Sequence, residues 1–290
     1  MNYQFNKIPS LKPKNTINTK KNKQKQELHS ITHRLYVQTC RRPSSIIINL
    51  IQPLLWLIMF GALFQNAPIQ LFTNNNIEYK QFLNPGIIVF TAFSNSINAG
   101  LPIIFDREFG FLNRILISPI INTKSLIYSC IIHTWLITSI QLIVIVIFNS
   151  FQTKNQLSIN QLLVIIAIST LVITNISSLS ICSAFILPGH IEFIAITTLL
   201  INLPTLFTST ALAPLSFMPY WLQIIACINP LTYAVEIIRQ STINGLHSLN
   251  TEIISTIWFH MEVKDSILIL IVINTISFVL VDMIIKYKYD

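Results

Sequence analysis

Apolar residues in this chain collect into runs of roughly 20, separated by shorter polar stretches that hold nearly all of the charge. At about 1.5 Å per residue, such a run crosses a hydrocarbon core of about 30 Å. Open sheet edges cannot sit in lipid, so runs this long must be helices. The pattern predicts six of them, at 44–65, 83–105, 125–149, 161–187, 192–213 and 266–285. The fold class is therefore an all-α polytopic membrane protein.

The segments around these runs have characters of their own. Residues 1–26 read as a disordered basic tail, with Lys20, Lys21, Lys23 and Lys25 placed to meet anionic lipid. From Glu27 to Arg42, Leu28, Ile31 and Leu35 recur at helical spacing with His29, His33 and Arg34 interleaved. That pattern predicts an amphipathic interfacial helix over 27–43, broken by Pro43, that feeds the chain into the first span. Short polar loops are expected at 66–82, where Asn74, Asn75 and Asn76 signal a turn, at 150–160, and at Leu187-Pro188-Gly189-His190. The segment 214–265 is too long for a turn and too apolar for a free loop. Its 219–250 portion reads as two or three short helices dipping into the outer leaflet, with Trp221 and Tyr233 at headgroup level. Non-helical backbone at Asn229-Pro230 is tolerable there only under cover of protein or a water-filled cavity.

Charge sets the orientation. Fifteen of the nineteen Lys and Arg residues fall in the N-terminal 43 residues, the 106–124 loop and the C-terminus. Lys80, Lys154, Arg239 and Lys264 fall on the other side. The positive-inside rule puts both termini on the cytoplasmic or stromal face. The net charge of +8 is thus a topology signal, and no nucleic-acid partner is expected. No cleavable signal peptide is expected either, because residues 1–26 lack an apolar core. Ile and Asn abound and Lys outnumbers Arg, a composition that A/T-rich codons favour. It points to a plastid, with the inner membrane of an AT-rich bacterium as the alternative.

Candidate chemistry is sparse. None of the six glycines is followed by Lys, so a GxxxxGK[ST] phosphate loop is absent and the chain does not bind ATP in that way. The six histidines form no HExxH pattern and the four cysteines stand apart, so no metal, cofactor or catalytic residue is expected. No carboxylate lies at mid-membrane depth; Asp282 sits near the cytoplasmic end of the last span. That argues against an ion-driven carrier and suits a machine driven by another subunit. Mild polar stripes do occur. Thr91, Asn95 and Asn98 share a face of the second span, Asn202, Thr205 and Ser209 one of the fifth, and Thr170, Thr174 and Ser177 one of the fourth. Such stripes either knit helices together or line a translocation path at a subunit interface.

The charged island at 106–119 sits between two apolar runs and must face water. Asp106 is placed to cap a following short helix, on which Arg107, Phe111 and Arg114 share one face and Phe109, Leu112 and Leu116 another. It reads either as a positive-inside interfacial loop or as a coupling helix that docks a soluble ATPase.

Two stretches carry a family resemblance. Asp106-Arg107-Glu108-Phe109-Gly110, followed by Leu112, Arg114, Ile115, Leu116 and Ser118-Pro119, is the first. Asn229-Pro230-Leu231-Thr232-Tyr233 with an acidic residue at Glu236 is the second. In this order and spacing the chain resembles the ABC-2-type permeases, the membrane subunits of ABC exporters, over nearly its whole length. The resemblance implies a six-span permease domain over 44–290, with a coupling loop at 106–124 and outer helices within 214–265. It implies a half-transporter that dimerises with a second copy and is driven by a separate P-loop ATPase, with no enzyme activity of its own. Asp106, Arg107, Glu108, Phe109, Leu112 and Arg114 would couple to that ATPase. Asn229, Pro230, Tyr233, Glu236 and Arg239 would form an outer gate, and Thr91, Asn95, Asn98, Asn202 and Thr205 would line the path. Glu236 and Arg239, three residues apart, would pair within that gate; the plainer alternative is an ordinary surface ion pair worth under about 1 kcal/mol. The alternative from another class is a membrane assembly or maturation subunit with the same fold and no transport of its own.

Overall fold

The computed structural model describes residues 20–64, 79–111, 124–153, 157–186, 191–243, 245, 251–255 and 260–289. Helix α1 (Lys20–Cys40) precedes α2 (Pro43–Leu63), and α3 (Tyr79–Ser96) leads through a tight corner into α4 (Leu101–Glu108). Three long apolar helices follow: α5 (Lys124–Thr153), α6 (Ile159–Ile186) and the shorter α7 (Ile191–Phe207). A 3-10 turn at Leu215–Phe217 leads to α8 (Tyr220–Ile228), α9 (Pro230–Ile243), a hairpin of β1 (Glu252–Ser255) and β2 (His260–Glu262), and α10 (Val263–Tyr289).

Five stretches are long and apolar enough to cross a membrane: α2, α3 with α4, α5, α6 and α10. They correspond to the first four expected spans and the last. The expected fifth, 192–213, is cut short, because α7 ends at Phe207 and irregular backbone begins at Thr208-Ser209-Thr210. The short helices expected within 219–250 are α8 and α9, which meet at an angle of 86°. A small element of another kind follows them. β1 and β2 pair antiparallel with Ile254 opposite Met261, and Ile254 seats in the core. Adjacent β-branched residues, Ile253 and Ile254, favour strand over helix.

α1 also begins sooner than expected, at Lys20 rather than Glu27. Lys and Gln dominate 20–26 and are good helix formers, so a stretch that reads as solvated tail extends the interfacial helix instead. The rest of the expected tail, the 66–78 part of the first outside loop and the 187–190 turn lie outside the described residues.

α3 is the central element. Two thirds of its span is buried inside the protein, against 17% for α2 and for α10, whose remaining apolar surface is left for lipid. α3 packs on α2, α5, α6 and α9, and α6 carries α10 on its far side. The main core joins Val89, Phe93, Ile145, Ile165, Ile173 and Ile238 from four helices. Helices in lipid gain little from apolar contact alone, so close packing and polar cross-links matter more. Trp135 Nε1 donates to Thr170 Oγ1 (3.2 Å) between α5 and α6, and Ser277 Oγ donates to Asn175 Oδ1 (2.5 Å) between α10 and α6. On the α6 stripe, Thr170 thereby joins two helices, while Thr174 and Ser177 bond back to their own helix backbone.

Gly86 marks the closest approach. A Cβ there would lie 2.6 Å from the Cα of Ala211 and closer still to its carbonyl oxygen. Gly61 is more permissive, since its added Cβ would meet only the Lys80 side chain at 3.3 Å. Gly86→Ala should therefore lower stability by about 1–3 kcal/mol through overpacking. Thermal melts of the detergent-solubilised protein should show a clear drop in midpoint for Gly86→Ala and little change for Gly61→Ala.

Candidate functional site

The charged island does not form the isolated unit its sequence suggests. Asp106 lies inside the last turn of α4 rather than capping a new helix, because α4 carries the second span on to Glu108. Its carboxylate instead takes the guanidinium of Arg34 from α1, 72 residues away in sequence. The Asp106 side chain is only 12% exposed and that of Arg34 31%. Arg34 also lies over the Phe111 ring, 4.8 Å from its centroid. One residue on, Arg107 Nη1 donates to the Ala184 carbonyl at the end of α6 (3.1 Å). Phe109 stacks on Phe105 and is 77% exposed, an aromatic ring presented at the tip of the α4 corner. The end of α4 is thus held from both sides, by α1 and by α6, with an exposed ring beyond the clamp. Leu112 and Arg114 lie outside the described residues.

The α3–α4 corner is fixed at a second point. The Gly100 N–H donates to Ser180 Oγ (3.1 Å), whose hydroxyl donates to the Ile97 carbonyl (2.6 Å). A Cβ on Gly100 would lie 2.6 Å from the Ser180 carbonyl oxygen, so only glycine allows this approach.

At the α8–α9 bend, the residues singled out as a gate gather into one knot. Asn229 Oδ1 accepts from the Leu231 N–H (3.0 Å), and Pro230 opens α9. That is the expected chemistry of a helix start, with the proline where no N–H is needed. The Asn229 carboxamide also donates to the Thr205 carbonyl (3.2 Å), near the end of α7. Tyr233 donates its hydroxyl to the Cys227 carbonyl across the bend.

Arg239 completes the knot, and it is not the surface residue that its spacing suggests. Its guanidinium pairs with Glu236, donates to the Thr210 carbonyl (2.7 Å), and sits 3.8 Å from the Phe82 ring centroid. The two side chains are 8% and 15% exposed. Carbonyls freed where α7 ends thus find donors on α9. Sequence reasoning missed Phe82 and Thr210 as partners, since nothing local connects them to Arg239.

The five residues expected to line a path divide. Thr91 is buried and bonds the Ile87 carbonyl of its own helix, and Thr205 does the same with Ile201. Asn202 donates to Ser94 Oγ (3.2 Å), a link between α7 and α3. Asn95 and Asn98, by contrast, line a half-open cavity of about 370 Å³ enclosed by α1, α2, the α3–α4 corner and α5. Asn95 donates there to Gln141 Oε1 (2.5 Å). Gln141 was legible as a lone carboxamide inside an apolar run, the kind of residue that marks an internal polar site.

The model of the "ABC-2 type transporter" family matches residues 26–243, which contain the α4 clamp and the α8–α9 knot. The chain belongs to the ABC-2 type transporter family. It is 44% identical over 265 residues to a Porphyra purpurea protein named "Putative transport permease ycf38", covering 91% of this chain and 90% of that one. Proteins of the same name from Cyanophora paradoxa (44% over 261 residues, 90% and 89%) and Pyropia yezoensis (43% over 265 residues, 91% and 90%) are similarly close. These relatives are encoded in algal plastid genomes. A multi-pass transport permease is therefore the coarse identity of this ABC-2 chain.

Arg239→Ala would leave the Glu236 carboxylate buried and unpaired and the Thr210 carbonyl without its donor. A loss of about 3 kcal/mol or more is expected, whereas Glu236→Gln combined with Arg239→Met should recover part of it. Folded yield and melting midpoint in detergent check both variants.

Proposed function

We propose that this ABC-2 permease is the membrane half-subunit of an ATP-driven exporter, coupled to a separate P-loop ATPase and paired with a second copy of itself in a plastid membrane. The observation that carries the reading is the held end of α4. Phe109 projects beyond a clamp made by Arg34–Asp106 on one side and Arg107 to Ala184 on the other. A soluble partner pressing on that ring would load α1, α4 and α6 together. Arg107, Glu108 and Phe109, with Leu112 and Arg114 following, form the docking surface in this reading, and Asp106 holds it in place.

The export direction rests on the family resemblance alone, while the charge distribution supports both termini on the stromal side and hence the α8–α9 bend toward the opposite face. There Asn229, Pro230, Tyr233, Glu236 and Arg239 form the outer gate. Path-lining is assigned to Asn95 and Asn98, which reach a cavity, whereas Asn202 joins α7 to α3 and the Thr91 and Thr205 hydroxyls bond within their own helices.

Affinity purification through a C-terminal tag in mild detergent should recover a P-loop ATPase in near-equal amount. Phe109→Ala and Glu108→Ala should lose it while membrane insertion survives. Recovery of the ATPase with both variants would refute the docking surface. Absence of an ATPase even with the unaltered chain would favour an assembly subunit of the same fold. Orientation has its own test. In a background lacking Cys40, Cys130, Cys182 and Cys227, Trp221→Cys should react with impermeant thiol reagents from the outer face alone.

A further inference from the structure

The cavity between α1, α2, α5 and the α3–α4 corner has a chemistry that neither the clamp nor the knot uses. Its polar wall presents Arg42, Gln38, Asn49, Asn95, His133 and Thr138; its other side is apolar, including Leu35, Ile46 and Phe105. No Asp or Glu lines it.

Arg42 is the cation of this cavity. Its guanidinium lies 6.0 Å from the Phe105 ring centroid, and among the described residues no carboxylate pairs with it. It stands at the α1–α2 junction, where an interfacial helix turns into the membrane. The Thr138 hydroxyl lies deeper, 1% exposed, and has no hydrogen-bond partner among the described residues. Thr39 and Thr91, on neighbouring helices, instead bond back to the carbonyl four residues earlier. A buried hydroxyl left unpaired costs about 1–3 kcal/mol unless something fills the site. His133 is already engaged. Thr39 donates its hydroxyl to the Leu35 carbonyl (3.0 Å), so the 2.8 Å contact with His133 Nε2 has the imidazole N–H donating to Thr39 Oγ1.

We infer that this cavity binds the anionic headgroup of an amphiphile, a phosphate or sulfonate, with Arg42 as its charge partner. The carboxamides supply further donors, and Thr138 offers one at the inner end. The surroundings favour a lipid as the source. The cavity opens at interfacial depth, its apolar wall can follow the start of an acyl chain, and the surrounding solvent of α2 is lipid. The cavity is the one that Asn95 and Asn98 share with the proposed path, but its occupancy can be read without an ATPase, so the test stands apart from the transport reading.

The test uses the full-length protein, purified and then delipidated in detergent, with native mass spectrometry to count bound lipid. Phosphatidylglycerol and phosphatidylcholine of identical acyl chains are offered at equal concentration, and soluble glycerol 3-phosphate is added as competitor. Phosphatidylglycerol should be retained about tenfold better than phosphatidylcholine, and Arg42→Gln should reduce that preference about tenfold, the worth of one charge-assisted hydrogen bond. Thr138→Val should weaken retention less. Arg41→Gln removes an equal charge one residue away, outside the cavity lining, and should leave the preference intact. Failure of glycerol 3-phosphate to compete at a hundredfold excess identifies a lipid as the occupant. Full competition keeps the anion site but assigns it to a free phosphate ester. Equal retention of the two lipids, or an equal loss from Arg41→Gln and Arg42→Gln, overturns the inference. Should Arg42→Gln fail to fold, Arg42→Lys serves instead. It should keep the preference while weakening it, and an unchanged affinity would count against guanidinium recognition.

Discussion

Irregular backbone within an apolar protein needs donors for its freed carbonyls, and here the Arg239 guanidinium supplies one just beyond the end of α7. α7 ends at Phe207, and its last carbonyls have no partner within the helix. In water such groups would be solvated; beside lipid they must be paired inside the protein. Arg239 reaches the Thr210 carbonyl from α9, and Asn229 reaches that of Thr205 from the bend. The positive charge this brings inside is balanced by Glu236 and by the face of the Phe82 ring. Planarity and several donors in a fixed fork are what the position demands, which lysine lacks. Without this pair, the irregular 208–214 backbone would lose the donor that takes the Thr210 carbonyl in the middle of the packing.

The same residues locate the fold's tightest contact. Ala211, one residue after Thr210, lies against Gly86 on α3. Phe82, one turn earlier on α3, is the ring beneath Arg239. α3 therefore receives the knot on one face while α2, α5 and α6 occupy the others, which explains why it is the most buried span. Tyr79 adds a further anchor by donating to the Leu212 carbonyl (3.0 Å). The 208–214 segment, polar and irregular by sequence, is held by side chains from both α3 and α9.

Long apolar runs made the spanning helices legible, since composition and length alone decide them. Asn229-Pro230 was legible as a break, because a capping side chain followed by proline has few other uses. That Glu236 and Arg239 could pair was legible from their spacing, but the burial of the pair was not. Spacing of three residues says that Glu236 and Arg239 can meet, and nothing about whether water is present. Burial came from Phe82 and Thr210, distant in sequence. Likewise Asp106 and Arg34 each looked like members of separate amphipathic elements, and only the tertiary path of α1 across the mouth of α4 joins them. The short end of α7 and the hairpin before α10 were hidden for another reason. Ile-rich sequence satisfies helix and strand alike, and the choice fell to which backbone groups could find partners.

Clamping α4 at both ends has a mechanical consequence. A corner between two helices can serve as a hinge only if its backbone is free to rotate and its neighbours can slide. At Gly100 neither holds. Its N–H is bonded to Ser180, the Ser180 hydroxyl bonds Ile97 on the other side of the corner, and the approach to α6 leaves no room for a Cβ. Arg107 repeats the attachment to α6 nearly two turns later. α3, α4 and the second half of α6 therefore move as one body, and force applied near Phe109 passes into the centre of the bundle. Compliance must lie where packing is sparse. α7 touches its neighbours little, and Ile196, Leu199, Leu200, Ile201 and Leu203 on it are exposed. Its polar ties among the described residues include the Asn202 contact with Ser94 and the Asn229 contacts near its end. The double attachment of α4 and its corner to α6, at Gly100 and at Arg107, thus contrasts with α7, whose outward face along Ile196, Leu199, Leu200, Ile201 and Leu203 is left to lipid.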